Sequence, residues 1–313
     1  MSSFFTLAIV QSALELGFVY ALVALALFLS YSVLNIADLS TDGCFILGCA
    51  VGSTVAIAGH PFLALAAAMG AGVCSGFITA FLQTKLGVES ILAGIIVNTG
   101  LYTVNIAAMG FSSNLSLFKT DTIFTLAKDF LAGTPLAGWY KLAVAVVITA
   151  AAAAALRLFL STRLGLSIRA TGDNADMVRA SSINPSFTIT VGLCVSGALT
   201  ALSGAVLGQY QKSCDINLGT GMVTIALASL IIGETLVGRQ KLGRRLLAAI
   251  VGSVLYRFIV AIALRLNVPA ECLKLVSALI VAVAIASPQA KKLWALQKRK
   301  RLARAAGRKG GKS

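Results

Sequence analysis

The chain has 313 residues, 58% of them hydrophobic and 12% charged, with a mean hydropathy of +0.90. Soluble domains run about 45–50% apolar and about 25% charged, and disorder requires low hydrophobicity, so both classes are excluded and a polytopic membrane protein remains. The net charge is +15, and residues 291–313 carry ten Lys/Arg and no acid.

A membrane helix needs about 20 apolar residues. Nine spans are expected, at about 6–33, 43–59, 61–84, 90–111, 140–160, 187–209, 221–237, 245–265 and 271–288. The breaks between them are chemically distinct: Gly59-His60-Pro61, Lys85-Leu86-Gly87 and Asn267-Val268-Pro269. At about 1.5 Å per residue the first span exceeds the roughly 30 Å hydrocarbon core, so tilt or a protruding end is expected there. Two connections are longer than a turn needs, 112–139 and 161–187. No fixed-period repeat is visible, and a single-domain membrane bundle over 1–290 with a basic tail over 291–313 is the expected organisation.

Lys and Arg alternate between connections. Lys85, then Arg157, Arg163, Arg169 and Arg179, then Arg239, Lys241, Arg244 and Arg245, then the tail form one set. Lys119, Lys128, Lys141, Lys212 and Arg265 are all that the other side holds. The rich set is expected to be cytoplasmic, with the C-terminus inside and the N-terminus outside.

The candidate chemistry is sparse. Six cysteines form no CxxC pair and no metal spacing, and His60 is the sole histidine, so no metal site and no Ser-His-Asp site is expected. The terminal Gly307–Ser313 stretch resembles the end of a P-loop, but Ala306 stands where the first glycine belongs and no helix follows. Nucleotide binding by this chain is therefore not expected. The basic tail lacks interleaved aromatics apart from Trp294, which favours anionic lipid over nucleic acid as its partner. Gly48/Gly52, Gly72/Gly76 and Gly204/Gly208 are small-xxx-small pairs, expected to serve helix packing within the chain.

Polar residues inside apolar spans are costly and therefore informative. Gln11 and Glu15 share a helix face, as do Asn98 and Asn105, while Gln209, Glu234 and Arg257 lie within later spans. Asn35 and Asp38 sit in the polar stretch Asn35–Gly43 between the first two spans, either a plain loop or a broken helix lining a cavity. Gln11, Glu15, Asn35, Asp38, Asn98, Asn105, Gln209 and Glu234 are the candidate translocation path. They are mostly uncharged, which suits a small neutral or zwitterionic solute.

The 161–187 loop carries the sharpest signal. Arg169–Pro185 reads as a short helix capped by Asp173 or Asn174, with Asp176 near its positive end, Arg179 later, and Pro185 blocking its continuation. Ala175 and Val178, with Met177 and Ala180 beside them, give it a small apolar side that must dock on its own bundle or on a partner. Leu164, Gly165, Arg169, Ala170, Gly172, Asn174, Arg179, Ile183 and Asn184 match the pattern L-G-x-x-x-R-A-x-G-x-N-x-x-x-A-R-x-x-G-I-N, departing from it at Val178 and Ser182. This stretch resembles the coupling loop of ABC-importer permeases of the branched-chain amino acid and ribose class. Ile36–Ser40 with Gly43, and Gly219-Thr220-Gly221 with Gly233–Gly238 and Gly243, resemble two further segments of that family, with departures at Glu234 and Arg239-Gln240.

The resemblance spans about 10–290 and implies an all-α type II importer fold in a bacterial inner membrane. It further implies a second permease chain as a homodimer partner, two cytoplasmic ATPase subunits holding ATP and Mg, and an extracytoplasmic binding protein. The ATPase contacts would be Arg169, Gly172, Asn174, Ala175, Val178, Arg179, Ala180, Ile183 and Asn184. The spelling Arg169–Asn174 is nearer the amino-acid branch, so an apolar or aromatic amino acid is the expected solute, with a sugar or nucleoside as the alternative. An ion-coupled secondary transporter would need coupling-ion ligands and inverted halves, and the sequence displays neither. A membrane enzyme would need a catalytic cluster, which the scattered acids do not provide.

Overall fold

A computed structural model describes residues 7–132, 138–238 and 241–265, together with isolated positions between 275 and 286. Most of the ninth expected span, the basic tail and Arg239-Gln240 lie outside the described residues. Among the described residues eleven helices and two short strands follow one another: α1 (Leu7–Leu27, continued by a π-helical turn Phe28–Val33), α2 (Thr41–Ile57), α3 (Pro61–Thr84), α4 (Ser90–Ala108), β1 (Asn114–Ser116), α5 (Ile123–Phe130), α6 (Tyr140–Ser161), α7 (Arg163–Asp173), α8 (Ala175–Ala180), α9 (Pro185–Gln211), β2 (Ser213–Asp215), α10 (Met222–Val237) and α11 (Leu242–Arg265).

Six of these are long and apolar enough to cross a membrane: α1 with its π turn, α3, α4, α6, α9 and α11. Two apolar helices are shorter, α2 with 17 residues and α10 with 16. The chain is thus a polytopic helical bundle. Helices α1 and α9 form its centre, buried along most of their length, and Leu22, Leu25, Phe28 and Leu29 anchor the main core. Phe62, Phe77 and Phe81 of α3, Ile95 and Ile96 of α4, and Val147 and Leu158 of α6 point outward. Such apolar exposure is what a bilayer solvates.

Packing relies on small residues. A Cβ at Gly48 would lie 2.0 Å from the Ala201 carbonyl oxygen, and one at Gly204 1.9 Å from that of Phe45, so α2 and α9 touch backbone to backbone. Gly72 meets Gly197 in the same way, and Gly233 meets Ala248. The small-xxx-small pairs therefore serve contacts within the chain, where loss of the side chain gains dispersion contact between backbones.

Contacts also fix the directions of the helices. Ser196 Oγ donates to the Ala26 carbonyl and Ser203 Oγ to that of Val19, so α9 and α1 are antiparallel. Gly48 and Gly52 meet Ala201 and Ala205 in order, so α2 runs with α9. Gly17 meets Val254 while Ser32 meets Arg245, so α11 opposes α1, and α10 opposes α11. The order long helix, irregular segment, short helix, long helix thus occurs twice, from α1 and again from α9, in opposite directions. Inverted halves exist that the residue pattern did not reveal. Side-chain identities differ between the halves, and only the backbone course repeats.

Two connections carry more structure than expected. The 112–139 connection contains β1, paired antiparallel to β2 with Leu115 opposite Cys214, and α5, capped by reciprocal hydrogen bonds between Thr122 and Thr125. The 161–187 connection contains two helices in place of one, broken at Asn174, which is extended at φ −160°. The fourth span ends at Ala108, because Gly110 and Phe111 take positive φ.

Candidate functional site

The polar residues do not gather into one site. They mark three levels of the bundle, and the middle one is unusual. After α9 the chain does not turn straight into α10. Residues 212–221 run back beside α2, so that Gly219 abuts the Asp42 carbonyl and Ile46. Helix α10 therefore starts inside the bundle, where the Asp42 carboxylate in the first turn of α2 accepts from the N–H groups of Gly221 (3.0 Å) and Val223 (2.9 Å). The N-termini of two short helices meet there. A carboxylate between them satisfies donors that lipid could not and lies at the positive ends of both macrodipoles.

Around this junction Asn105 Nδ2 donates to the Gly43 carbonyl (3.0 Å), and a Cβ at Gly43 would lie 2.6 Å from Asn98 Oδ1. Both asparagines thus face the start of α2, as their i,i+7 spacing requires. Asp38 is buried but turns onto its own loop, accepting from Ser40 N (2.9 Å) and Ser40 Oγ (2.6 Å). Asn35 is exposed and left-handed at φ 57°. The Asn35–Gly43 stretch is therefore the irregular segment of the first half, matching 212–221 in the second.

At the end carrying the strands, Gln11 Nε2 donates to Glu15 Oε1 (2.9 Å) and to the Gly138 carbonyl (2.8 Å), and Tyr210 Oη donates to Glu15 Oε2 (2.7 Å). Lys141 sits 4.9 Å over the Tyr210 ring. Gln209, expected on the path, is instead a cap. Its Oε1 accepts from Ile123 N at the start of α5 and its Nε2 donates to the Pro61 carbonyl at the start of α3. A buried amide with both ends satisfied holds helices together and offers nothing to a passing solute.

At the opposite end Glu234 Oε1 accepts from Ser32 Oγ (3.0 Å) and pairs with Arg245 (3.6 Å), which also donates to Ser32 and stacks on Phe28. Ser32 belongs to the π turn of α1. That turn also receives α7, because a Cβ at Gly172 would lie 1.8 Å from the Val33 carbonyl oxygen. Gly172 was expected to face a partner and faces α1 instead. Val178 differs likewise, being 3% exposed and packed into the bundle, while its neighbour Met177 is 65% exposed. With six residues in α8, only one side can be buried, and Val178 occupies it. Asn174 caps α8 by accepting from Met177 N (3.0 Å), and Asn184 caps α9 by accepting from Ser186 N (3.0 Å). Ile183 is half-buried. Arg169, Asn174, Ala175, Arg179 and Ala180 remain exposed, together with Leu164 and Leu166. The Arg179–Asp176 pair (3.9 Å) is solvated and adds little.

Asp42, Tyr210, Ser32 and Arg245 were missed as candidate site residues. Asp42 carried a signal, an acid just before Gly43 at the start of a short span. Among the described residues no cluster of three or more His, Cys, Asp or Glu is placed to hold a metal ion.

This architecture, a lipid-facing bundle with opposed halves, re-entrant segments and an exposed helical pair at one end, defines a transport permease. The chain belongs to the family described as branched-chain amino acid transport system / permease component, which matches residues 9–285. It is 29% identical to the tyrosine transport system permease protein of Clostridioides difficile (strain R20291), over 88% of this chain and 90% of that one. It is 26% identical to the ribose import permease protein RbsC of Escherichia coli (strain K12), over 82% and 78% respectively. It is 24% identical to the fructose import permease protein FruF of Bifidobacterium longum (strain NCC 2705), over 82% and 74%. No solved structure matches.

Proposed function

We propose that this chain is the membrane-spanning subunit of an ATP-driven importer in a bacterial inner membrane. It takes an amino acid with an apolar or aromatic side chain from an extracytoplasmic binding protein. A second copy of the chain completes the path as a homodimer, and two cytoplasmic ATPase subunits hold ATP and Mg. The α7–α8 end is cytoplasmic, as is the C-terminus. Residues 271–288 form a ninth span, and the 291–313 tail lies on anionic headgroups.

One observation carries this reading. The pair α7–α8 exposes Leu164, Leu166, Ala175 and Met177 beside Arg163, Arg169 and Arg179, while Gly172 wedges α7 against the π turn of α1. An apolar patch edged with charge suits a partner groove. Its inner side touches a central helix that reaches Glu234 and Arg245. Pressure from an ATPase on α8 would thus be delivered to α1, α10 and α11 together, which is how a rigid lever shifts a bundle between two states.

The solute class is supported by the similarity to the tyrosine permease of Clostridioides difficile. The sugar permeases among the relatives favour a second reading, a sugar or nucleoside. The test is reconstitution of the chain with its neighbouring ATPase and binding protein. ATP-dependent uptake of a radiolabelled amino acid is expected, with no hydrolysis by the permease alone. Uptake driven by an ion gradient without the ATPase would overturn the reading.

A further inference from the structure

Arg257 is left unexplained by the lever and by the path. It lies in α11, which spans Leu242–Arg265. At about 1.5 Å per residue it sits roughly 5 Å from the midpoint of that helix, deep in the hydrocarbon region. Its guanidinium is 3.5 Å from the centroid of the Tyr20 ring, and its Nε is buried without a hydrogen-bond partner. Among the described residues no carboxylate pairs with it. An arginine at this depth is expensive unless something satisfies it.

Arg257 lines a cavity of about 430 Å³ between α1 and α11. Ser12 is the polar neighbour from α1, Ala13, Leu16, Val260 and Leu264 supply apolar wall, and Arg265 stands two turns further along α11. This volume falls within the range of small-molecule sites, about 300–1,000 Å³. Its wall is mostly aliphatic, with Ser12 as a polar point and two cations, Arg257 at the deep end and Arg265 at the end of α11. A planar fork matches a carboxylate through two parallel hydrogen bonds. Lipid phosphate lies at the level of the headgroups, more than ten ångströms above Arg257 by the same about 30 Å core dimension. The cavity extends from Arg257 to Ala8 and Arg265 at the ends of α1 and α11, so a soluble anion can enter it from that end of the bundle.

We propose that this cavity receives the transported amino acid, with its carboxylate on Arg257 and its side chain against the α1–α11 wall. The proposal rests on amino-acid transport by this chain. Tyr20 holds the guanidinium from behind, and its own ring stacks on Phe45 at 6.3 Å. Phe45 stands one turn beyond Asp42, so Tyr20 and Phe45 link Arg257 to the helix that starts at the α2–α10 junction.

The test uses the complete importer in proteoliposomes, with radiolabelled L-tyrosine as the probe. Arg257→Gln is expected to lower the initial uptake rate more than tenfold. Ala261→Phe, which fills the cavity and leaves the guanidinium in place, is expected to do the same. Uptake within twofold of wild type for either variant overturns the site. Should Arg257→Gln fail to assemble, the cavity-filling variant alone decides. A wild-type importer that carries ribose and rejects every amino acid shows instead that the amino-acid reading has failed, and the site with it.

Discussion

Two residues test the packing directly. Gly172 cannot accept even a methyl group, since its Cβ would lie 1.8 Å from the Val33 carbonyl oxygen. Backbone does not yield as a side-chain tip does, so Gly172→Ala should push α7 off the π turn. The expected outcome is an importer that inserts and binds its ATPase but loses most ATP-driven uptake, measured against ATPase co-purification. Normal uptake by this variant would mean that α7 does not press on α1. Asp42 is the second. Its carboxylate satisfies two N–H groups at the buried start of α10, and hydrogen bonds to a charged group are worth about 1.5–3 kcal/mol each. Asp42→Ala leaves those donors unsatisfied and should lower the thermal unfolding temperature in detergent by several degrees. Asp42→Asn retains an acceptor and should fall between the two. The sequence placed Gly172 inside a matching motif, whereas Asp42 stood only beside one, just before Gly43. It did not show what they touch, because Gly172 meets a residue 139 positions earlier and Asp42 one 179 positions later.

Helices were legible where hydropathy is strong, and misread where structure depends on distant partners. Six of the nine expected spans coincide with helices long enough to cross a membrane, two with shorter apolar helices, and most of the ninth lies outside the described residues. Helix α5 was missed because eight residues of mixed polarity are stabilised by a cap and by Gln209, not by an apolar run. The π turn of α1 was read as excess length. Extra residues in a wide turn shorten the rise and redirect Ser32 toward Glu234, and such turns recur at functional sites. The break at Asn174 mattered most. It starts a separate six-residue helix in which Val178 is buried and Met177 exposed. Two substitutions separate these roles. Met177→Asp should abolish stimulation of ATP hydrolysis by loaded binding protein while thermal stability stays within two degrees of wild type. Val178→Asp buries a charge without a partner, costing several kcal/mol, and should reduce the amount of folded chain recovered. Equal loss of stability in both variants would remove α8 as the contact with the ATPase.

For the whole molecule, the opposed halves are the feature that the sequence concealed and the one with most bearing on transport. Side chains are free to diverge between halves as long as small residues remain where backbones touch, so no repeat survives in the residues. The backbone course survives because each half solves the same problem, starting a short helix inside the bundle next to an irregular segment. Irregular backbone is tolerated at that depth only where protein or a water-filled cavity satisfies it. The two halves rocking against each other would open the junction of α2 and α10 first to one side and then to the other. Thr220 is exposed at this junction, immediately before the start of α10, and can report it. In a chain whose six cysteines are replaced by alanine, Thr220→Cys should react with a membrane-impermeant maleimide from the outer side in one nucleotide state. With the ATPase in the other state it should react only from the cytoplasmic side. Labelling from a single side in every nucleotide state would show that the junction does not alternate, and that the solute passes elsewhere in the assembly.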